Sequence, residues 1–349
     1  MNSHTQKLQQ ILDQSVDRKK IFGATFSLSS EREEYHISTG NSKLHRPFFL
    51  TDITKLFIAA LIFKKVSRGQ ISLLDPIVKF LDPVMVKNLN VIKGEDHSTL
   101  ITIGDLLSHQ SGIADYFKTK NYKGESLEDQ ILVGRDQKWT FENIIAYSKL
   151  HEGNCLPGQT NKAFYSNTNF QILGLILSTI ENRSLGLIIE REIAEPLNLQ
   201  STYLYTNVLD DFPQAFYYKN KRLIIPRAVI SSNADGGMVS TSQELMVFLR
   251  AFFFGKLFDQ RILTNAMEWK KLTPYISAGI GILQFHKPSI FPSLNGGTEL
   301  IGYFGKSGTL AYYDIKNNTF ITGTINQIAY PELAHKLGYK LLKTFTCKN

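Results

Sequence analysis

Apolar residues recur at helical spacing at the start of the chain, where Leu8, Ile11, Leu12 and Val16 fall on one face of a helix predicted over residues 5–16. The period then changes: Phe22 to Ser30 and Tyr35 to Thr39 alternate and are rich in β-forming residues, which predicts two strands. From Asp52 to Val66 the pattern is helical and strongly apolar. The stretches that follow, to about residue 230, read as mostly helical segments separated by breaks such as Asp82-Pro83 and Pro157-Gly158. After Gly236-Gly237 one more helix, Ser242 to Phe254, precedes predicted strands at Ile276 to Phe285, Leu300 to Phe304, Leu310 to Ile315 and Phe320 to Ile325. A last helix, Pro331 to Thr344, closes the chain.

Strands at both ends with helices between them predict an α+β architecture, in which the two termini build one antiparallel sheet flanked by the terminal helices. The expected division is a sheet lobe of residues 1–45 and 235–349, an inserted, mainly helical lobe of residues 46–234, and a cleft between them. With 349 residues, 43% of them hydrophobic, the chain can bury a large core. No run of about 18 apolar residues occurs, and Leu56 to Phe63 is short and ends in Lys64 and Lys65, so no membrane span is expected. The first twenty residues are polar and lack the apolar core of a secretory signal, which predicts a cytoplasmic protein. Cys155 and Cys347, the only cysteines, suit two ordinary thiols in a reducing compartment. The net charge of +8 is scattered; its densest clusters, Arg18-Lys19-Lys20 and Lys219-Asn220-Lys221-Arg222, are short and carry no nucleic-acid-binding motif. The charge reads as a solvated face and predicts no nucleic-acid partner.

Three short constellations carry candidate chemistry. In Asp52-Ile53-Thr54-Lys55, residues at i and i+3 meet one turn apart at a helix N-terminus, where backbone N–H groups favour negative charge. In Tyr165-Ser166-Asn167, a phenol and an amide two residues apart on a turn can both face a cleft. In Lys306-Ser307-Gly308-Thr309, a lysine and hydroxyls at a strand edge offer a cationic, hydrogen-bonding wall for a carboxylate, and the glycine allows close approach. Each also has a plain structural explanation: an Asp N-cap with a Lys partner, a packed tyrosine before a capped helix, a glycine bend in a sheet.

Together and in this order they resemble the S-x-x-K, Tyr-x-Asn and Lys-Thr/Ser-Gly motifs of the serine β-lactamases and penicillin-binding proteins. The likeness extends to ITIGDLLSHQSGI at 101–113, FYSNTNFQILGLIL at 164–177, Glu195 to Leu199 and ADGGMVSTSQEL at 234–245, and spans about residues 20–340. It is closest in flavour to the class C β-lactamase, D-aminopeptidase and esterase branch. The resemblance implies that fold and a serine mechanism in which Lys55 and Tyr165 handle the proton. It also implies that Asn167 positions the substrate and that Lys306, Ser307, Gly308 and Thr309 form a carboxylate and oxyanion wall.

The nucleophile does not carry over, because Asp52 stands where the serine is expected. A carboxylate beside an ammonium is a weak base, and its attack on an amide would give an anhydride, so acyl-serine chemistry is expected to be lost or impaired. Three readings stay open: a noncatalytic protein that binds a ligand in the old cleft; Asp52 acting as nucleophile or acid/base on another electrophile; and an inactivating substitution in a serine hydrolase. The preferred expectation is a hydrolase-like protein for a small intracellular amide, ester or related molecule, one that could carry a carboxylate for Lys306. No metal or other cofactor is expected, His109 reads as a hydrogen-bonded structural histidine, and the oligomeric state is not readable.

Overall fold

The computed structural model describes residues 3–286 and 299–347. Its centre is an eight-stranded antiparallel sheet in the spatial order Lys270–Thr273, Ile276–Ala278, Leu283–Phe285, Leu300–Gly305, Thr309–Asp314, Thr319–Thr324, Gly23–Ser29, Glu34–Gly40. The two ends of the chain meet where Gly23–Ser29 pairs with Thr319–Thr324, Phe26 opposite Gly323. Every residue of Gly23–Ser29 is buried, because this strand lies inside the sheet and both faces are covered. Side chains alternate along a strand. Tyr313 and Phe320 therefore meet Phe253 of the Ser242–Phe253 helix on one face. Leu310 and Ile321 meet Gly338 of the Glu332–Thr346 helix on the other. The Ser3–Ser15 helix joins that second layer, with His4 stacked on Tyr35 and edge-on to Phe345.

The Thr54–Ser67 helix is apolar nearly all round, and its burial explains why. It packs against the Asn167–Glu181 and Pro226–Gly236 helices and also touches the sheet strand Leu300–Gly305. Phe57 stacks on Phe248 with ring centroids 3.7 Å apart. At its end Lys64 pairs with Glu192 at 2.8 Å and Lys65 with Glu181, which lets two lysines terminate a buried helix.

One local expectation is corrected, and several short strands are added. Ile276 to Phe285 is two strands, because Gly279 and Gly281 reverse the chain; Gly281 has φ +72°, and a Cβ there would stand 2.6 Å from Ala59 Cβ. Lys270–Thr273 is an edge strand whose partly polar residues concealed it. The middle of the chain also contains the hairpin Phe216–Tyr218 and Lys221–Leu223, and a small sheet of Phe48–Phe49, Met238–Ser240 and Tyr203–Leu204. Among the described residues no single helix is long and apolar enough to cross a membrane, and no group of His, Cys, Asp and Glu is placed to hold a metal ion. Cys155 and Cys347 are both free thiols.

Candidate active site

A one-turn 3-10 helix, Thr51–Ile53, leads into the Thr54–Ser67 helix, so Asp52 stands just before the α-helix. The α-helix has Ile53 at its cap position and no side-chain cap; the Asp52 carboxylate is turned elsewhere. Its Oδ1 accepts from Lys55 Nζ at 2.9 Å and from the Tyr165 hydroxyl at 2.5 Å, and its Oδ2 accepts from the backbone N–H of Lys306 at 3.1 Å. One carboxylate thus joins all three constellations. Burial would push the Asp52 carboxyl up, but the Lys55 ammonium, the Tyr165 hydrogen bond and nearby Lys118 together hold it well below the usual carboxylate range.

Lys55 is fully buried. Besides Asp52, its ammonium donates to the backbone oxygen of Asp235 at 2.7 Å and lies 5.3 Å from the centre of the Tyr165 ring. The Tyr165 phenol is pushed far above its ordinary range by burial and by the negative charge of Asp52, so it is a held proton donor. His109 supports it from behind, stacked on the Tyr165 ring at 4.4 Å. His109 Nδ1 accepts from the Ser166 N–H at 3.2 Å, which leaves Nε2 to donate to the Tyr303 hydroxyl at 3.1 Å. Burial, with Lys55 nearby, pushes the imidazole down to about 3 and keeps it neutral.

Asn167 is the first residue of the Asn167–Glu181 helix, and its amide donates to both oxygens of Asp115 at 3.2 Å. Lys306 to Gly308 form the turn between the strands ending at Gly305 and beginning at Thr309. Gly305 lets this turn approach Asp52, since a Cβ there would lie 2.1 Å from Thr51 Oγ1. Lys306, Ser307, Asn167 and Asp52 line one cavity. Thr309 lies deeper: its hydroxyl is fully buried in a chain with Ser307 at 2.7 Å and Thr324 at 3.0 Å. Gly308 supports the turn from its φ of +71°, its back against Ile325 and Ala334. Gly308→Ala places a Cβ 2.6 Å from Ile325 Cγ1 and is expected to cost at least ~1 kcal/mol, read as a lower urea midpoint.

The cavity measures roughly 100 Å³. Asp52, Lys118, Glu128, Asn167 and Lys306 form its polar end, and Phe117, Ile131, Phe216, Ile225, Val229 and Ile328 form an apolar pouch. The sequence singled out neither Lys118 nor Glu128. It also missed a buried network behind Lys55. There Asp235 Oδ2 accepts from the Tyr116 hydroxyl at 2.8 Å and from Gln171 Nε2 at 3.2 Å. The only available signal was that Asp235 interrupts the small-residue run Ala234 to Gly237.

Burial pushes the Asp235 carboxyl up to about 7, outweighing Lys55 and the hydrogen bonds from Tyr116 and Gln171, which pull it down. A raised folded-state value means that the folded chain keeps a proton that the unfolded chain releases near pH ~4. The stabilisation is therefore full below that pH and is lost as pH rises through about 7. Asp235→Asn is expected to flatten the fall in urea midpoint between pH 5 and pH 8; an unchanged fall would mean that Asp235 does not titrate there.

The Beta-lactamase family profile matches residues 8–342, so the chain belongs to that family. Among curated proteins it is similar to the N-acetylmuramyl-L-alanine amidase of Bacillus subtilis, 25% identical over 217 residues that cover 61% of this chain and 45% of the relative. It is also similar to the D-alanyl-D-alanine-carboxypeptidase/endopeptidase AmpH of Escherichia coli, at 22% over 63% of this chain and 52% of the relative. The chain thus spans about half the length of these relatives. Its fold is that of the D-amino acid amidase from Ochrobactrum anthropi, in a complex with L-phenylalanine amide, at TM-score 0.80, 19% identity, and 99% and 100% coverage of the two chains.

Proposed function

We propose that the chain is a hydrolase-fold protein for small amide- or peptide-type molecules in which Asp52 stands at the position of the family's nucleophilic serine, so that acyl-serine chemistry is lost or strongly impaired. The observation that carries this reading is the saturation of the Asp52 carboxylate by Lys55, Tyr165 and the Lys306 N–H. An anion with three donors is a poor nucleophile, and an acyl-aspartate would be an anhydride rather than an ester. Lys55 and Tyr165 are the proton-handling pair of this reading, and both are engaged by the anion between them. The Lys306 N–H is the kind of backbone donor that would hold an oxyanion, so Asp52 occupies part of that position itself.

Asn167, Lys306 and Ser307 line the cavity as ligand-positioning groups, while Thr309 and Gly308 brace the turn behind them. The cleft lies between a sheet lobe of residues 1–45 and 235–349 and a mainly helical lobe of residues 46–234. The names of the similar proteins, two amidases and a carboxypeptidase/endopeptidase, support an amide- or peptide-type ligand. The test compares the Asp52 chain with Asp52→Ser on nitrocefin, p-nitrophenyl acetate and a D-alanyl peptide, with intact mass to detect an acyl adduct. An adduct on the serine variant alone is expected. An adduct on the Asp52 chain, or on neither, overturns the proposal.

A further inference from the structure

Lys306 is not open to a ligand carboxylate in this structure, because Glu128 holds it. The Glu128 carboxylate forms an ion pair with Lys306 Nζ, with 19% of its side chain exposed against 40% for Lys306. Glu128 belongs to the first turn of the short helix Leu127–Leu132. Its backbone N–H donates to the Phe117 oxygen at 3.1 Å, which ties this helix to the strip of chain carrying Lys118. The same helix supplies Ile131 and Leu132 to the cavity wall. One element therefore bears both a wall of the apolar pouch and the carboxylate across its polar end.

A second cation stands beside the pair. The Lys118 ammonium lies 4.8 Å from the centre of the Tyr165 ring and, among the described residues, makes no hydrogen bond or ion pair. Burial pushes the Lys306 ammonium down to about 8, and Lys118 adds to this, whereas Asp52 and Asp115 work the other way. Lys118 and Lys306 thus both line the polar end of a cavity whose remaining wall is largely apolar.

We infer that Glu128 is an internal competitor for a ligand carboxylate: it occupies Lys306 until a small carboxylic acid with an apolar side chain bridges Lys306 and Lys118 and seats that side chain in the pouch. The inference rests on the cleft being the ligand site, as proposed above, but not on the fate of acyl transfer. Glu128 is a specificity-determining residue in this arrangement, because it sets the penalty for reading a free carboxylate over a neutral amide of the same shape.

Calorimetric titration with N-acetyl-phenylalanine and its neutral amide, in both hands, tests this on the chain with Asp52 in place. Glu128→Gln keeps the shape and removes the charge; it is expected to tighten the carboxylate about fivefold, the scale of one partly exposed ion pair, and to leave the amide unchanged. Glu128→Asp, which keeps the charge on a shorter arm, is expected to fall between. Lys118→Met is expected to weaken the carboxylate alone. A Glu128→Gln protein that binds the carboxylate no better relative to the amide, or that binds neither, overturns the inference, with the urea midpoint of each variant showing that it is folded. Because no variant here needs to acylate, a silent Asp52→Ser protein would sink the function proposed above and leave this result standing.

Discussion

Asp52→Ser is expected to form an acyl-enzyme and to turn over p-nitrophenyl acetate at least roughly a thousandfold faster than the Asp52 chain, since removing a serine hydrolase's nucleophile costs on the order of a millionfold in kcat. The physical case lies in what the substitution releases. Asp52 now draws Lys55 Nζ to 2.9 Å and the Tyr165 hydroxyl to 2.5 Å, so both are fixed as donors to an anion. A serine hydroxyl in that place is neutral. With no anion between them, Lys55 and Tyr165 are free to act on the hydroxyl as the proton-handling pair. The Lys306 N–H, which donates to Oδ2 at 3.1 Å, is freed to face a developing oxyanion. The readout is a mass increase equal to one acyl group, together with burst kinetics. Asp52→Asn controls for charge: it releases the same groups without a nucleophile and is expected to stay silent.

Lys55→Met is expected to destabilise the folded chain by about 3 kcal/mol, the low end of the cost of breaking a buried ion pair. The low end applies because 17% of the Asp52 side chain is exposed and Tyr165 and the Lys306 N–H would still hold the carboxylate. Methionine preserves the volume, so the loss reports charge and the unmet oxygen of Asp235 rather than a cavity. In the double variant Asp52→Asn/Lys55→Met most of the loss should return, and urea midpoints across the four proteins form the cycle that measures it. The acid limb shifts as well. The folded-state Asp52 carboxyl is depressed, so its contribution is present above the unfolded value near pH ~4 and is lost as pH falls below it. Without Lys55 the folded-state carboxyl rises towards or past the unfolded value, so this acid loss should shrink or reverse, and equal acid limbs in the two proteins would contradict the pairing.

Much of this molecule was legible in the order of its residues. Period-2 segments at both ends and an apolar 52–66 stretch announced an α+β sheet protein with a buried helix, and three spaced motifs picked out Asp52, Lys55, Tyr165, Asn167 and Lys306 to Thr309. Repetition at 2 and at 3.6 is a local property, and so is the meeting of Asp52 and Lys55 one turn apart, which is why a linear reading recovers them. Where a fine feature failed, the cause was also local: Gly279 and Gly281 can either continue a strand or reverse it, and the reversal shows only in the fold, where the Gly279 N–H donates to the Ile282 oxygen at 2.9 Å.

Tertiary structure alone decided the state of the site. That Asp52 takes hydrogen bonds from residues 113 and 254 positions away depends on a turn, a helix start and a hairpin arriving at one point, and no spacing along the chain encodes it. The same holds for Glu128 on Lys306, for Lys118 above Tyr165 and for the Asp235 carboxyl raised by burial, whose residue types are ordinary surface residues in the sequence. The sequence by itself determined which elements form and which chemical groups are available. Charge pairing and burial are pairwise and depend on distance and on exclusion of water, so the protonation of those groups, and what they are free to do, was settled only by the fold.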